Sequence, residues 1–158
     1  MNELLAYLGV LVAGATPWIE VLFVVPAGML IGLPLVPTVI VAAVGNLVTL
    51  VPVVVAAERV EARWRRRRGE GEGAPRLERA RRVMQRHGVP GLAALGPLLT
   101  GAHLAALVAM VAGADRRRVL VWFAVSVTTW SLGVGVATAL GLELLVDPDL
   151  ADRLPQVR

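Results

Sequence analysis

The chain of 158 residues contains no cysteine, which excludes disulfides, zinc–thiolate centres and thiol catalysis. It contains no lysine either: every basic side chain besides the two histidines is an arginine, and most of the arginines are clustered. The N-terminus, M-N-E-L-L-A-Y-L-G-V, lacks the positive n-region of a secretory signal. Ala13, Gly14 and Ala15 imitate a cleavage site, but the segment is read as retained. Between Glu20 and Glu58 there is no charge at all. The apolar tracts also lack closely spaced carboxylate pairs, metal-ligand clusters and nucleophile motifs. Thr100 and His103 form an i, i+3 pair without a third group to orient them, so a nucleophile–base reading fails. The chain is therefore not expected to be an enzyme, and no metal or cofactor is expected.

What is present is apolar. Hydrophobic residues make up 56% of the chain, and the mean hydropathy is +0.69. Four long apolar tracts separated by short charged ones place it among polytopic, all-α integral membrane proteins. A pI near 11.2 is compatible with nucleic-acid binding. Arginines set directly beside apolar spans are better explained by orientation in a membrane, so the expected partners are membrane lipids and not nucleic acid.

The stretch Glu20 to Gly32, E-V-L-F-V-V-P-A-G-M-L-I-G, organises the first half. The uncharged run it opens is too long for one helix across a hydrocarbon core of about 30 Å. It is also interrupted by Pro26, Gly28, Gly32, Pro34 and Pro37. A proline inside a helix costs ~3 kcal/mol, and in lipid the freed carbonyls must be satisfied by protein or water. Residues 17–37 are accordingly predicted to be a re-entrant hairpin, with Glu20 near its mouth and Pro26 shaping its tip. Residues 1–16 are a short first helix or a lead-in, and 38–58 are one transmembrane helix.

Residues 59–87 form the soluble interval. It carries R-W-R-R-R-R, a flexible G-E-G-E-G, and an amphipathic helix starting near Pro75. Leu77, Ala80, Met84 and His87 fall on one face, with Arg76, Arg79, Arg82 and Arg86 mostly elsewhere. Such a helix either lies on an anionic leaflet or carries arginines that only fix topology.

Residues 88–114 are the second interrupted tract. They could cross once, but Arg116–Arg118 follow immediately and the Arg-rich interval precedes them. A single crossing would place one cluster outside, against the positive-inside rule. A second re-entrant hairpin puts both on the cytoplasmic side, turning at Gly96-Pro97 and Thr100-Gly101. Residues 118–143 are then the final span and 144–158 an external acidic tail. Each half reads hairpin then span, with opposite orientation, and paired interrupted segments point to a transporter's site at the midplane.

The pattern Glu20, Pro26, Gly28, Gly32, Gly45-Asn46, then Gly88, Gly91-Leu92, Pro97 and Thr100-Gly101 resembles the small multidrug export protein family over about Pro17 to Leu140. These are small bacterial membrane proteins, similar in turn to the DedA superfamily with its two re-entrant hairpins. The resemblance implies an inner-membrane location and drug export, or movement of lipid-linked anions coupled to protons. Leu22 stands where the family pattern carries a basic residue, and His103 where an aromatic is common.

Glu20 is either a proton carrier or cation ligand, or a headgroup-level residue reaching water. His103 is a relay or a hydrogen-bonded bundle histidine. Asn46 and Thr100 either contact substrate or serve packing and capping. Pro26, Gly28, Pro97 and Gly101 shape the hairpins. The alternative function is a membrane scaffold whose arginine loop binds anionic lipid or a partner. A chain this small has few helices to enclose a site, so a homodimer or larger assembly is expected.

Overall fold

The computed structural model describes residues 2–17, 19–67 and 75–146. It describes the side chains of all of these except 58–67, 75–81 and 144–146. The described residues are helical, without a strand: α1 (Glu3–Gly14), α2 (Val21–Leu30), α3 (Leu35–Arg67), α4 (Pro75–Leu99), α5 (Ala102–Val111) and α6 (Arg116–Val146). Gly88, at φ 65° and ψ −162°, breaks α4 into two arms, the first of them starting at Pro75; the side chains of Leu77 and Ala80, on which its expected apolar face rests, lie outside the described residues.

Helix length separates these elements into two kinds. At 1.5 Å per residue, α1, α2, α5 and the second arm of α4 each cover well under the roughly 30 Å of a hydrocarbon core. Among the described residues, only α3 over Leu35–Ala57 and α6 over Arg116–Glu143 are long and apolar enough to cross. Just 39% and 33% of those windows are buried, so most of each apolar window faces outward. On α3, Val36, Ile40, Val44, Val48, Val51 and Val55 form one exposed apolar stripe. Inside, by contrast, lie Glu20, Thr38, Asn46, His103, Ser126 and Ser131. An apolar exterior around a partly polar interior is the distribution of a membrane protein, because lipid makes no demand for surface polarity.

The short helices end alike. After α2, Gly32 takes φ 94°, its N–H donates to the Met29 carbonyl at 2.9 Å, and the Leu33 N–H donates to Gly28 at 3.1 Å. After α5, Gly113 takes φ 85°, its N–H donates to Met110 at 2.9 Å, and the Ala114 N–H donates to Ala109 at 3.0 Å. Both turns need a left-handed residue after the helix, which only glycine supplies without steric cost. One constant step along the chain carries Glu20 onto Gly101, Val21 onto Ala102, Gly32 onto Gly113 and Leu35 onto Arg116. Packing follows the same exchange, with α2 against α6 and α5 against α3.

The first interrupted tract divides differently from the expectation. Its turn lies at 15–20, between α1 and α2, and Pro26 falls inside α2. Pro26 removes one donor, which would have bonded the Leu22 carbonyl, and buried Val21, Val24, Val25 and Met29 hold the helix across that gap. Pro37 is in the first turn of α3, where an N–H has no helical partner anyway. Glu20 is therefore at the turn rather than at a mouth. At the other end of the chain, Arg116–Arg118 occupy the first turn of α6, where positive charge opposes the helix dipole. Asp115 offsets this by accepting the Arg118 N–H at 2.9 Å.

Helix α1 crosses α3 through small residues. A Cβ on Gly45 would stand 2.4 Å from the Leu11 carbonyl oxygen and 3.0 Å from the Ala15 nitrogen, both backbone atoms. A Cβ on Gly14 would meet the Ala42 carbonyl oxygen at 2.7 Å. Gly133 on α6 has nothing within 4 Å. Gly45→Ala is thus expected to cost about 1–3 kcal/mol through forced separation of α1 and α3. Gly133→Ala should stay within about 0.5 kcal/mol of the parent. Denaturation in detergent micelles followed by circular dichroism checks both, and equal effects would contradict the close crossing.

Candidate functional site

The turn between α1 and α2 meets the turn between α4 and α5. Glu20 holds an extended conformation (φ −77°, ψ 154°) at the N-cap of α2, yet its side chain does not cap that helix. Its Oε1 instead accepts the N–H of Ala102, the first residue of α5, at 2.9 Å. A carboxylate at a helix N-terminus faces unpaired amides and the positive end of the dipole. The approach requires Gly101, at φ 89°, because a Cβ there would lie 2.8 Å from Oε1.

His103 follows directly. Its Nε2 is 2.9 Å from Thr49 Oγ1 on α3. The Thr49 hydroxyl also lies 3.1 Å from the Asn46 carbonyl and donates to it. When the hydroxyl proton goes to that carbonyl, Nε2 is the donor to Thr49, and in the neutral ring Nδ1 then carries no proton. Asn46, one turn before Thr49, is fully buried.

Four polar atoms here are buried without a protein partner: Glu20 Oε2, His103 Nδ1, and both Nδ2 and Oδ1 of Asn46. Leaving such a group unpaired costs about 1–3 kcal/mol. The residues that carry these atoms are linked through other atoms: Glu20 Oε1 accepts the Ala102 N–H, His103 follows Ala102 in the chain, and its Nε2 meets Thr49, whose hydroxyl donates to the Asn46 backbone carbonyl. A polar ligand or a proton offered to this cluster would find donors and acceptors already stripped of water. Among the described residues, no three His, Cys, Asp or Glu side chains come together as a metal site.

Of the residues singled out from the sequence, Glu20, Asn46, Gly101 and His103 belong to this cluster. Thr100 sits at the same turn, where its hydroxyl donates to the Gly101 carbonyl at 3.3 Å. Pro26 and Gly28 belong to α2 instead, and Gly28 lets the helix approach Thr38 and Val10. Pro97 acts through the backbone: its missing N–H frees the Ala93 carbonyl, and Ser126 Oγ donates to that carbonyl at 2.6 Å. Thr49 and Ser126 escape a sequence reading that looks for charges and helix breakers. Thr49 is three residues from Asn46, hence on the same helical face, and that spacing is the signal that could find it. Arg82, Arg86 and His87 are exposed, so His87 does not share the apolar face with half-buried Met84. The side chains of Arg76 and Arg79 lie outside the described residues.

A family model described as "Putative small multi-drug export protein" matches residues 20–132. That range begins at Glu20 and includes Asn46, Thr49, Gly101 and His103. No curated protein and no solved structure matches the chain.

Because Asn46 has no partner for either end of its amide, Asn46→Leu should leave stability within about 1 kcal/mol of the parent or raise it. Thr49→Val should instead lower stability by about 1–3 kcal/mol, because it strands His103 Nε2. Thermal denaturation in micelles tests the contrast. A strong loss in Asn46→Leu would mean that the amide is structurally paired.

Proposed function

The chain belongs to the small multi-drug export protein family, and on that premise we propose that it is a proton-coupled secondary transporter of the bacterial inner membrane. The observation that carries this reading is the buried cluster of Glu20, His103, Thr49 and Asn46, set where the turns of two short helical pairs meet and surrounded by an apolar shell. Ionisable and amide groups in such a place are expensive, and in membrane proteins they mark ion and substrate pathways.

On this reading the two halves form an inverted repeat, similar to that of the DedA superfamily. In each half a helical pair, α1–α2 or the second arm of α4 with α5, enters and leaves on one side of the bilayer. A long helix, α3 or α6, then crosses. Because the short helix of each half packs against the long helix of the other, the halves can rock about the cluster between them. Arg116–Arg118 and the arginines of 59–87 both lie on the cytoplasmic face in this arrangement.

Coupling runs through the bond that joins the halves. Ionised, Glu20 is held by the Ala102 N–H and the N-terminal end of α5. Protonated, it loses its charge and with it most of that attraction, so the two turns separate more readily. Its second oxygen, Oε2, has no competing partner and is the atom on which a proton is taken up. His103, next to Ala102 in the chain, is the second group that can hold a proton. Its Nδ1 is unpartnered. The cargo is a small amphipathic or lipid-linked anionic compound, for which the Asn46 amide and the amides at the α5 N-terminus offer donors.

Proteoliposomes with an imposed pH gradient test this directly, comparing a lipid-linked phosphate with lipophilic cations. Glu20→Gln keeps the size and an acceptor for Ala102 but cannot exchange a proton, so gradient-driven uptake should vanish while the protein stays folded. Glu20→Asp should retain part of the activity with a displaced pH optimum. Unchanged pH dependence in Glu20→Gln would overturn the coupling role.

A further inference from the structure

Away from the polar cluster, a groove between α4 and α6 and a second cavity at the start of α6 meet at one tryptophan. The first, of about 310 Å³, is a groove with Pro90, Ala93 and Ala94 on one wall and Trp122, Val125 and Trp130 on the other. The second, of about 340 Å³, lies at the start of α6 and is lined by Asp115, Arg117, Arg118, Val121 and the same Trp122. Both reach the lower end of the range typical of small-molecule sites.

The two cavities differ in chemistry. In the groove, the polar groups of the wall are already paired within the protein. Ser126 Oγ donates to the Ala93 carbonyl at 2.6 Å, and Trp130 Nε1 donates to the Ala94 carbonyl at 2.9 Å. Thr129 is the remaining polar side chain there, at the exposed edge. The groove therefore presents hydrocarbon and aromatic surface, and strands no donor or acceptor when an apolar chain lies in it. At the mouth, Arg117 and Arg118 are exposed. The Asp115 carboxylate shares that cavity, but its Oδ1 is occupied by the Arg118 N–H, and three consecutive arginines outnumber it. Trp122, 43% exposed and one helical turn beyond Arg118, joins mouth to groove, and an indole is suited to bridge headgroup and hydrocarbon.

We propose that this pair of cavities binds one anionic phospholipid of the surrounding membrane, with its phosphate between Arg117 and Arg118 and one acyl chain in the groove between α4 and α6. A basic mouth continuous with an apolar trough matches both ends of such a lipid. Arginine is the side chain suited to the phosphate, since its planar fork pairs with two oxygens at once. A zwitterionic lipid brings an ammonium group to the same arginines and is disfavoured. The site is separate from the Glu20 cluster and does not depend on the transport reading. The lipid would brace the second arm of α4, whose register Pro97 and Ser126 already set.

The test uses the full chain carrying Trp18→Phe and Trp64→Phe, so that only Trp122 and Trp130 fluoresce. It is reconstituted in phosphatidylcholine vesicles containing a small, equal mole fraction of either dibrominated phosphatidylglycerol or dibrominated phosphatidylcholine. Quenching by the anionic lipid is expected to be several-fold greater. Arg117→Gln with Arg118→Gln should reduce it to the level of the zwitterionic lipid. Ala94→Phe fills the groove from an exposed position without changing any charge, and it too should abolish the excess. Equal quenching by the two lipids in the parent would overturn the proposal, as would an excess that survives the double arginine replacement. An excess that survives Ala94→Phe would show attraction to the surface charge alone, and would also overturn it.

Discussion

One hydrogen bond decides how this small chain holds together: the carboxylate of Glu20, at the turn of one helical pair, accepts the first N–H of α5 in the other. Helix α5 begins in a buried position, where an unpaired amide would be costly. No residue of its own half caps it, because Gly101 has no side chain to do so. Glu20 likewise leaves its own helix uncapped. The first half thus supplies the cap that the second half lacks. That contact places the two turns against each other and leaves His103 facing α3, where Thr49 waits.

Around this contact the structure resolves the proline problem that lipid imposes. Carbonyls released by proline cannot turn to water, so other side chains must meet them. Ser126 does this for Ala93 behind Pro97. Pro37 avoids the problem by standing in the first turn of α3, and Pro26 leaves only the Leu22 carbonyl without its helical donor. Small residues do the remaining work: Gly45 and Gly14 let α1 lie on α3 at backbone contact, and Gly96 admits the Ala105 methyl of the neighbouring helix. The polar cluster is the exception, with four buried atoms unpaired. A fold that leaves both ends of the Asn46 amide unpaired in its interior has placed that cost where function can use it.

Much of this was legible in the sequence, and the parts that were not have physical reasons. The two long helices follow from apolar length, and the start of α4 from Pro75. Thr100-Gly101 marks a turn because glycine there has φ 89°. Glu20 and His103 attract attention as lone titratable groups between apolar segments. Pro26 misleads, because burial of four neighbours outweighs one missing hydrogen bond, and the turn moves to residues 15–20. Thr49 is marked only by its spacing from Asn46, because a threonine in an apolar helix usually bonds its own preceding turn, and the packing of α5 on α3 gives it its second partner. The pairing of Glu20 with Ala102 is beyond any local pattern, since it joins residues 82 apart in the chain.

The central claim, that the cluster between the two helical pairs is opened alternately to each side of the membrane, is tested most directly at Thr49. The natural chain has no cysteine, so a Thr49→Cys protein carries one thiol, beside His103. In proteoliposomes of known orientation, a membrane-impermeant thiol reagent should modify it from both faces, with the balance between them shifting as pH is changed on one side. A folded protein whose thiol is reached from one face only, at every pH, or from neither, would contradict the account.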